Sequence, residues 1–387
     1  MREKDVYDLA IIGGGISSSV FVSSHIKNGF SGKIAIIENG RNLGGRSSTR
    51  NSFANKGWQL NHGSPNFNIC NTTNNDLLKT FIIELLNSKI ILPDPSDFLE
   101  MVEENRFDFK ENSGFHSCSN YIPRSSMSEL SKDIISYENS RDQVDYFFET
   151  LIIKLDFKSD RWILISQNGN KFITKFLVCS SNLILHKRSL DILKLNQTPI
   201  RNAIPINKDK KLDKMINLLN KQNYIKRLTF LIYTNSNYCY KDKYKFKNRY
   251  YLLSNHLEEK YKLERIIFQK QNNNKLGIVV HTRDINFIND YFQHKDKERF
   301  KSKILAKFNQ IFDKNTYINK LIDYQDISIM VWRSSQPSGL AIPENLQVCE
   351  DHNIAFCGDW FDIEGFGRVE GAILSALKLS HKINSLS

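Results

Sequence analysis

Two glycine clusters and a carboxylate near the amino end of the sequence have types and spacing suited to binding phosphate. Gly13-Gly14-Gly15 follows an apolar run, Leu9 to Ile12, and precedes a predicted helix. Gly13 can take the conformation of a tight turn, Gly15 lets a pyrophosphate approach the backbone, and the helix start offers free N–H groups. Ser18 occupies the position of the third glycine of the dinucleotide-binding fingerprint and adds only a small side chain. The cluster therefore predicts a strand, a turn and a helix that bind a dinucleotide.

The carboxylate is Glu38, which ends a second apolar run, Ile34 to Ile37. An acid about 20 residues beyond the glycines, at the end of the neighbouring parallel strand, is typical of a ribose-binding residue. Arg41 and then Gly44-Gly45-Arg46 follow. Adjacent glycines add backbone N–H groups, and a guanidinium provides a fork of donors that suits phosphate oxygens. We expect both clusters to contact one pyrophosphate.

Later segments extend this pattern and resemble a known family. The stretch from Gly44 to Arg50, GGRSSTR, resembles the renalase-like flavoproteins of the flavin amine-oxidase superfamily, and Val369-Glu370-Gly371-Ala372 is a close match. Trp332-Arg333 resembles the Trp-Arg pair of that family. His62-Gly63 also matches, whereas Pro65-Asn66 and Ser334-Ser335 depart from the usual residues.

The resemblance implies non-covalent FAD as the cofactor and gives further residues their expected roles. Asp359, after Gly358, would bind the ribityl or pyrophosphate region, and Val144 would contact adenine through its backbone. The carboxyl-terminal helix, opened by Arg368, Val369, Glu370 and Gly371, would direct its positive end at a flavin carbonyl. On the substrate side the resemblance implies His62, Trp332 and Arg333. No cysteine lies between 332 and 348, so a covalent thioether to the flavin is not expected.

The expected fold is α/β: a Rossmann-type FAD-binding domain, p-hydroxybenzoate hydroxylase-like or amine oxidase-like, with an inserted α+β substrate domain. We predict that residues 1–75, 117–189 and 322–387 form the discontinuous FAD-binding domain, and that 76–116 and 190–321 form the substrate domain. Within the first domain, 149–181 predicts a β-meander with a hairpin turn at Asn168-Gly169. A helix that starts near Ser126 should lead to the third parallel strand.

Composition narrows the class of protein. The six cysteines form no C-x-x-C pair and no cluster with histidine, which argues against a metal site and favours reduced, buried thiols in a cytoplasmic protein. The sequence has no apolar run long enough to cross a membrane. The net charge of +12 arises between Arg201 and Lys275, where 18 basic residues face 6 acidic ones. Compositional drift, attraction of a phosphate-bearing substrate, and binding of nucleic acid or an acidic surface remain open, the last as the weakest.

The predicted function is an FAD-dependent oxidoreductase that takes hydride from a small molecule and passes electrons to dioxygen. A single dinucleotide fingerprint disfavours a second Rossmann domain for NAD(P)H, so the substrate should reach the flavin directly in an interdomain cleft. The resemblance implies an aberrant dihydronicotinamide dinucleotide as substrate. Two alternatives stay open: an amine or polyene oxidoreductase of the same superfamily, and an FAD-binding redox sensor or scaffold without turnover.

Overall fold

The computed structural model describes residues 6–51, 57–70, 75–103, 106–109, 118–138, 142–237, 249–271, 275–312 and 324–385. The helices are α1 Ile16–Lys27, α2 Asp76–Asn87, α3 Leu130–Ser136, α4 Ser189–Leu193, α5 Pro199–Ala203, α6 Lys210–Leu219, α7 Asn255–Tyr261, α8 Ile285–His294, α9 Lys297–Ile311 and α10 Val369–Asn384. The strands are β1 Val6–Ile12, β2 Ile34–Ile37, β3 Thr49–Asn51, β4 Gln59–Asn61, β5 Phe67–Ile69, β6 Ile91–Pro93, β7 Asp97–Glu103, β8 Arg106–Phe109, β9 Ser119–Pro123, β10 Val144–Phe147, β11 Ile152–Lys158, β12 Arg161–Ser166, β13 Lys171–Cys179, β14 Asn223–Asn237, β15 Arg249–Leu253, β16 Arg265–Lys270, β17 Lys275–Thr282, β18 Tyr324–Ser338, β19 Val348–Cys349 and β20 Ile354–Phe356.

The first sheet is a parallel core in the order β10-β2-β1-β13-β20. Its central strands are continuous apolar runs, and β2 is buried along its whole length, as is typical of strands in parallel sheets. The helix α1 follows β1 after the three glycines and contacts α3 and α10. The strand–turn–helix prediction at the amino end is therefore confirmed, as is the helix that leads to the third parallel strand.

An antiparallel extension joins this sheet at β13. The strands β11, β12 and β13 form a meander, and Gly169 takes a positive φ of 79° in the turn between β12 and β13. Leu177, Val178 and Cys179 are fully buried where β13 runs between β1 and β20. The predicted meander and hairpin turn are confirmed.

The second sheet has the order β18-β14-β17-β16-β15-β7-β8 and is largely antiparallel. On one face, apolar side chains such as Phe230 and Ile278 pack against α8 and α9 through Phe287, Phe300 and Ile304. The other face holds a smaller apolar cluster that includes Trp58 and, from β4, Leu60. This second face, the inner face of the sheet, is therefore covered by residues of the amino-terminal part of the chain.

Core packing and strand pairing connect segments across the predicted domain limits. Residues of α2, α5 and α6 belong to the core of the first sheet, although 76–116 and 190–321 were expected in the substrate domain. Conversely, β18 pairs along its length with β14 of the second sheet, although 322–387 was expected in the first domain. The core to which a segment belongs depends on contacts with residues that are distant in the sequence. Local composition does not indicate those contacts.

The cysteines divide into two groups. Cys179, Cys349 and Cys357 are free and buried, as predicted. Cys70 and Cys118 form a disulfide across a sequence separation of 48, so the prediction of reduced thiols is wrong for this pair. Such a distant pair has no local spacing signature. Cys239 lies outside the described residues. Within the described ranges, we find no helix whose length and hydropathy would let it cross a bilayer.

Candidate active site

A cavity of about 820 Å³ lies between the carboxyl ends of the parallel strands and the inner face of the second sheet. Ligands of open parallel sheets bind at this edge. Many of the residues predicted from the sequence line it: Gly13, Gly14, Gly15, Glu38, Gly44, Gly45, Arg46, His62, Trp332, Asp359, Arg368 and Val369. The structure thus brings together residues from both ends of the chain.

The floor of the cavity is built from the two glycine clusters. Gly15 is the N-cap of α1 and provides no side-chain cap, so the first N–H groups of the helix are left for another acceptor. A Cβ placed on Gly15 would meet nothing within 4 Å, whereas one on Gly45 would lie 3.3 Å from the Cα of Gly15. Gly44 donates its N–H to Gly14 O at 2.8 Å. These contacts leave an open cradle at a helix start, as a pyrophosphate requires.

Glu38 stands where β2 ends, beside this floor. Its carboxylate accepts hydrogen bonds from the backbone N–H of Gly14 at 2.6 Å and of Gly40 at 2.5 Å. Its own N–H donates to Phe147 O at the carboxyl end of β10. The acid therefore fixes the glycine turn against both neighbouring strands while it lines the cavity.

Arg46 joins the amino-terminal and carboxyl-terminal parts of the site. Its guanidinium donates to both carboxylate oxygens of Asp359, at 2.7 and 2.5 Å, and to Ser335 O at 3.2 Å. Asp359 is only 5% exposed, and paired, bidentate contacts are what allow such a carboxylate to be buried. The backbone N–H of Ser64 donates to Arg46 O.

The amino end of α10 opens on the cavity at Arg368 and Val369, and no side chain caps it. Arg368 donates to Glu370 Oε2 at 2.6 Å and to Cys70 Sγ at 2.9 Å. Glu370 is fully buried and accepts the N–H of Cys70. Gly371 packs against Gly365, where a Cβ would come 2.4 Å from the carbonyl oxygen. Glu370 and Gly371 therefore position the helix end without lining the cavity.

His62 and Trp332 meet at the cavity wall, with ring centroids 5.2 Å apart and planes 30° from parallel. His62 is 4% exposed, and its Nδ1 has no hydrogen-bond partner within the described residues. Burial, together with the nearby Arg50 charge, lowers the pKa of His62 to about 4. The imidazole is therefore neutral at pH 7.

Several predicted site residues lie away from the cavity lining. Ser18 is fully buried and donates to Gly15 O, and Arg41 is exposed. Val144 begins β10 opposite Ile34, at the amino end of the sheet, whereas the cavity is at the carboxyl end. Arg333 follows Trp332 on β18, so its side chain lies on the other face, 5.9 Å from the Phe292 ring centroid. Gly358 is buried behind Asp359.

The cavity also has a wall that sequence reasoning missed. Arg188, Arg227, Thr229, Arg265 and His281 all line it. Arg227 donates to both carboxylate oxygens of Glu264 and to Ser335 Oγ. The available signal was the alternation of β14, in which Arg227 and Thr229 occupy the same face as Leu231 while apolar residues fill the other.

The comparisons with known proteins agree with this architecture. Residues 11–82 match the NAD(P)-binding Rossmann-like domain family, and no curated protein matches the sequence. A protein described as a protoporphyrinogen oxidase from Exiguobacterium sp. 255-15 superposes with a TM-score of 0.65 at 10% identity, over 98% of this chain and 99% of that chain. Putrescine oxidase bound to putrescine gives 0.64 at 11% identity, over 98% and 99%.

Cyclohexylamine oxidase from Brevibacterium oxydans IH-35A gives a TM-score of 0.65 at 12% identity, over 99% of each chain. Identities this low establish the fold and leave the activity to the residues of the site. The chain has the amine oxidase-like fold, a Rossmann-type dinucleotide-binding domain with an additional substrate domain.

Proposed function

We propose that the protein is an FAD-dependent oxidoreductase. The observation that carries the proposal is the single cavity in which the glycine floor, Glu38, the Arg46–Asp359 pair and the amino end of α10 meet. Each of these elements suits one part of a flavin dinucleotide: an open helix start for the pyrophosphate, a carboxylate for ribose, and a second helix start for the ring.

Bound there, FAD would supply a ring that accepts a hydride from a C–H bond of the substrate. The chain itself contributes binding and orientation. The uncapped amino end of α10 provides positive potential for a developing negative charge. His62 and Trp332 form a stacked aromatic wall, and the buried, neutral His62 can exchange hydrogen bonds without adding charge.

As substrate we propose an aberrant dihydronicotinamide dinucleotide, with dioxygen as the electron acceptor. Support comes from the charge of the cavity, which is lined by six arginines and four carboxylate side chains. Two of those carboxylates, Asp359 and Glu264, are already held by Arg46 and Arg227. A substrate that carries phosphate would meet compensating charge here.

The same arginines disfavour the amine alternative. An ammonium group would be placed among guanidinium groups, with the nearby Asp359 and Glu264 already paired. A protein that binds FAD without turnover remains the second candidate. Ser334 and Ser335 support this candidate, because they depart from the usual family residues. Here they accept hydrogen bonds from Arg188 and Arg227.

The test is the absorbance spectrum of the purified protein, followed by stopped-flow mixing with 2- and 6-dihydro-NAD(P) in the absence of oxygen. We expect a bound flavin spectrum that bleaches with at least one isomer and returns on mixing with dioxygen. A flavin that none of the dihydronicotinamides, amines or hydroxy acids reduces would favour the scaffold. A protein that binds no flavin would refute the proposal.

A further inference from the structure

A row of polar side chains crosses the inner face of the second sheet. Thr229 of β14 lies opposite His281 of β17, and His281 lies opposite Arg265 of β16. Because side chains alternate along a strand, these three share the face on which Leu231, Val279 and Ile267 form the small apolar cluster. All three line the cavity. The row is thus a polar strip at the edge of this apolar cluster.

Arg265 is the charged member of the row, and few groups compensate its charge. Within the described part of the chain its guanidinium donates one hydrogen bond, from Nε to His281 Nδ1 at 2.9 Å. The neighbouring carboxylate, Glu264, is held at both oxygens by Arg227, and Arg283 is held by Glu258. Burial lowers the pKa of Arg265, with Glu264 opposing that effect. A partly buried cation of this kind is stabilised by an anion.

The two other members of the row are potential donors. His281 is 2% exposed, and burial, followed by the Arg265 charge, holds its pKa well below the usual range. A neutral His281 that accepts from Arg265 at Nδ1 carries its proton on Nε2. Neither that Nε2 nor Thr229 Oγ1 has a hydrogen-bond partner among the described residues. Buried polar atoms of this kind normally have one.

We infer that the strip formed by Thr229, His281 and Arg265 is an oxyanion subsite, which binds a phosphate or carboxylate group of the substrate. The inference rests on the proposed function for the identity of that substrate as a molecule oxidised in this cavity. His281 acts as a positioning residue, because its Nδ1 orients the Arg265 guanidinium. Two of its members, Thr229 and Arg265, lie within the stretch from Arg201 to Lys275 that carries the positive net charge.

Anion binding without turnover gives the first test. The purified protein with its bound flavin is titrated with inorganic phosphate, and separately with acetate, at constant ionic strength, while flavin absorbance and tryptophan fluorescence are recorded. We expect saturable binding, and an Arg265→Gln variant with a Kd raised by at least about 10-fold. Thr229→Val, which keeps the side-chain shape, should raise Kd by a smaller factor. Arg299→Gln, which removes an exposed charge on α9, is the matched control.

Phosphate binding that depends on Arg265 supports the subsite and assigns it to phosphate, and acetate binding alone supports it and assigns a carboxylate. Anion binding that Arg265→Gln leaves unchanged, or no anion binding by folded wild-type protein, overturns the inference. A holoprotein with anion binding but no flavin reduction by dihydronicotinamides would refute the substrate proposal and leave the subsite standing.

Paired substrates give the second test, with a readout that a merely structural role would not move. Flavin reduction is followed with a dihydronicotinamide mononucleotide and with the corresponding riboside, which lacks the phosphate. Arg265→Gln should raise the half-saturating mononucleotide concentration by about 10-fold at an unchanged limiting rate, and leave the riboside unaffected. Equal weakening with both compounds contradicts a phosphate subsite.

Discussion

The two walls of the cavity are built in different ways. The cofactor-side wall is made from short contiguous segments, such as Gly13 to Gly15, that sit where a strand ends and a helix begins. The opposite wall takes one residue from each of several antiparallel strands, as Thr229, His281 and Arg265 show. Chemistry that depends on a backbone turn leaves a motif in the sequence. Chemistry that depends on strand pairing is distributed over the chain.

The largest expected effect tests the contiguous wall. A Gly15→Val side chain has open space around it, and the residue's φ of −81° is accessible to valine, so the fold should be retained. The side chain would fill the cradle, and we expect FAD affinity to fall on the order of 100-fold, or about 3 kcal/mol. Flavin occupancy and thermal unfolding are measured on the same samples. Gly15→Ala should be intermediate, and full occupancy in Gly15→Val would contradict this role.

The second-largest expected effect concerns Gln269, which lies at the junction between the two walls. Gln269 of β16 accepts the N–H of Asn61 at 2.9 Å and donates to its carbonyl at 2.8 Å, so a side-chain amide completes the backbone pairing of β4. Gln269→Ala would leave both backbone groups unpaired, and we expect a loss of about 2 kcal/mol in the free energy of unfolding. The exposed Gln167→Ala is the control for chemical denaturation. Equal stability of the two variants would show that water replaces the glutamine.

Alternation on β18 gives a sharper comparison within one wall. Trp332 faces the cavity and stacks on His62, whereas Arg333 faces the helices. We expect Trp332→Ala to slow flavin reduction by about 10-fold, equivalent to about 1.4 kcal/mol, and Arg333→Ala to change it by less than about 2-fold. Stopped-flow traces at saturating substrate measure both. A larger effect at Arg333 would restore the role that the family resemblance implied for it.

The smallest expected effect concerns a histidine outside the cavity. His25 lies between the rings of Phe21 and Phe30, and burial lowers its pKa to about 4, as for His62. The unfolded chain takes up a proton near pH 6.5 and the folded chain only near pH 4, so stability present above pH 6.5 is lost as pH falls toward 4.

His25→Phe removes this proton uptake. At pH 5.5, relative to pH 7.5, the variant should therefore lose about 1 kcal/mol less stability than wild type. Urea unfolding at both pH values measures the difference. Parallel pH profiles of the two proteins would show that His25 titrates normally in the folded state.

Sequence reasoning found the parallel core, the meander and the cofactor-side wall, because apolar runs, Asn168-Gly169 and the glycine turns report local conformation. It missed Arg265, since nothing adjacent marks that residue as facing a cavity, and it missed Thr229 although the alternation of β14 places it on the more polar face. It placed Arg333 in the site because the resemblance supplied a pair of neighbours, and strand alternation separates neighbours. Nor does the sequence mark the pairing of β18 with β14, which is about 100 residues away.

The disulfide between Cys70 and Cys118 makes the stability of the protein depend on the redox conditions around it. It closes the excursion that carries β7 and β8 to the second sheet and back. On a chain-entropy account, a closed loop of this length disfavours the unfolded state by about 4 kcal/mol. Thiol reductants would remove that contribution while Arg368 and Glu370 still hold the Cys70 end of the loop. The same polypeptide therefore has two levels of stability, and the redox poise of its surroundings selects between them.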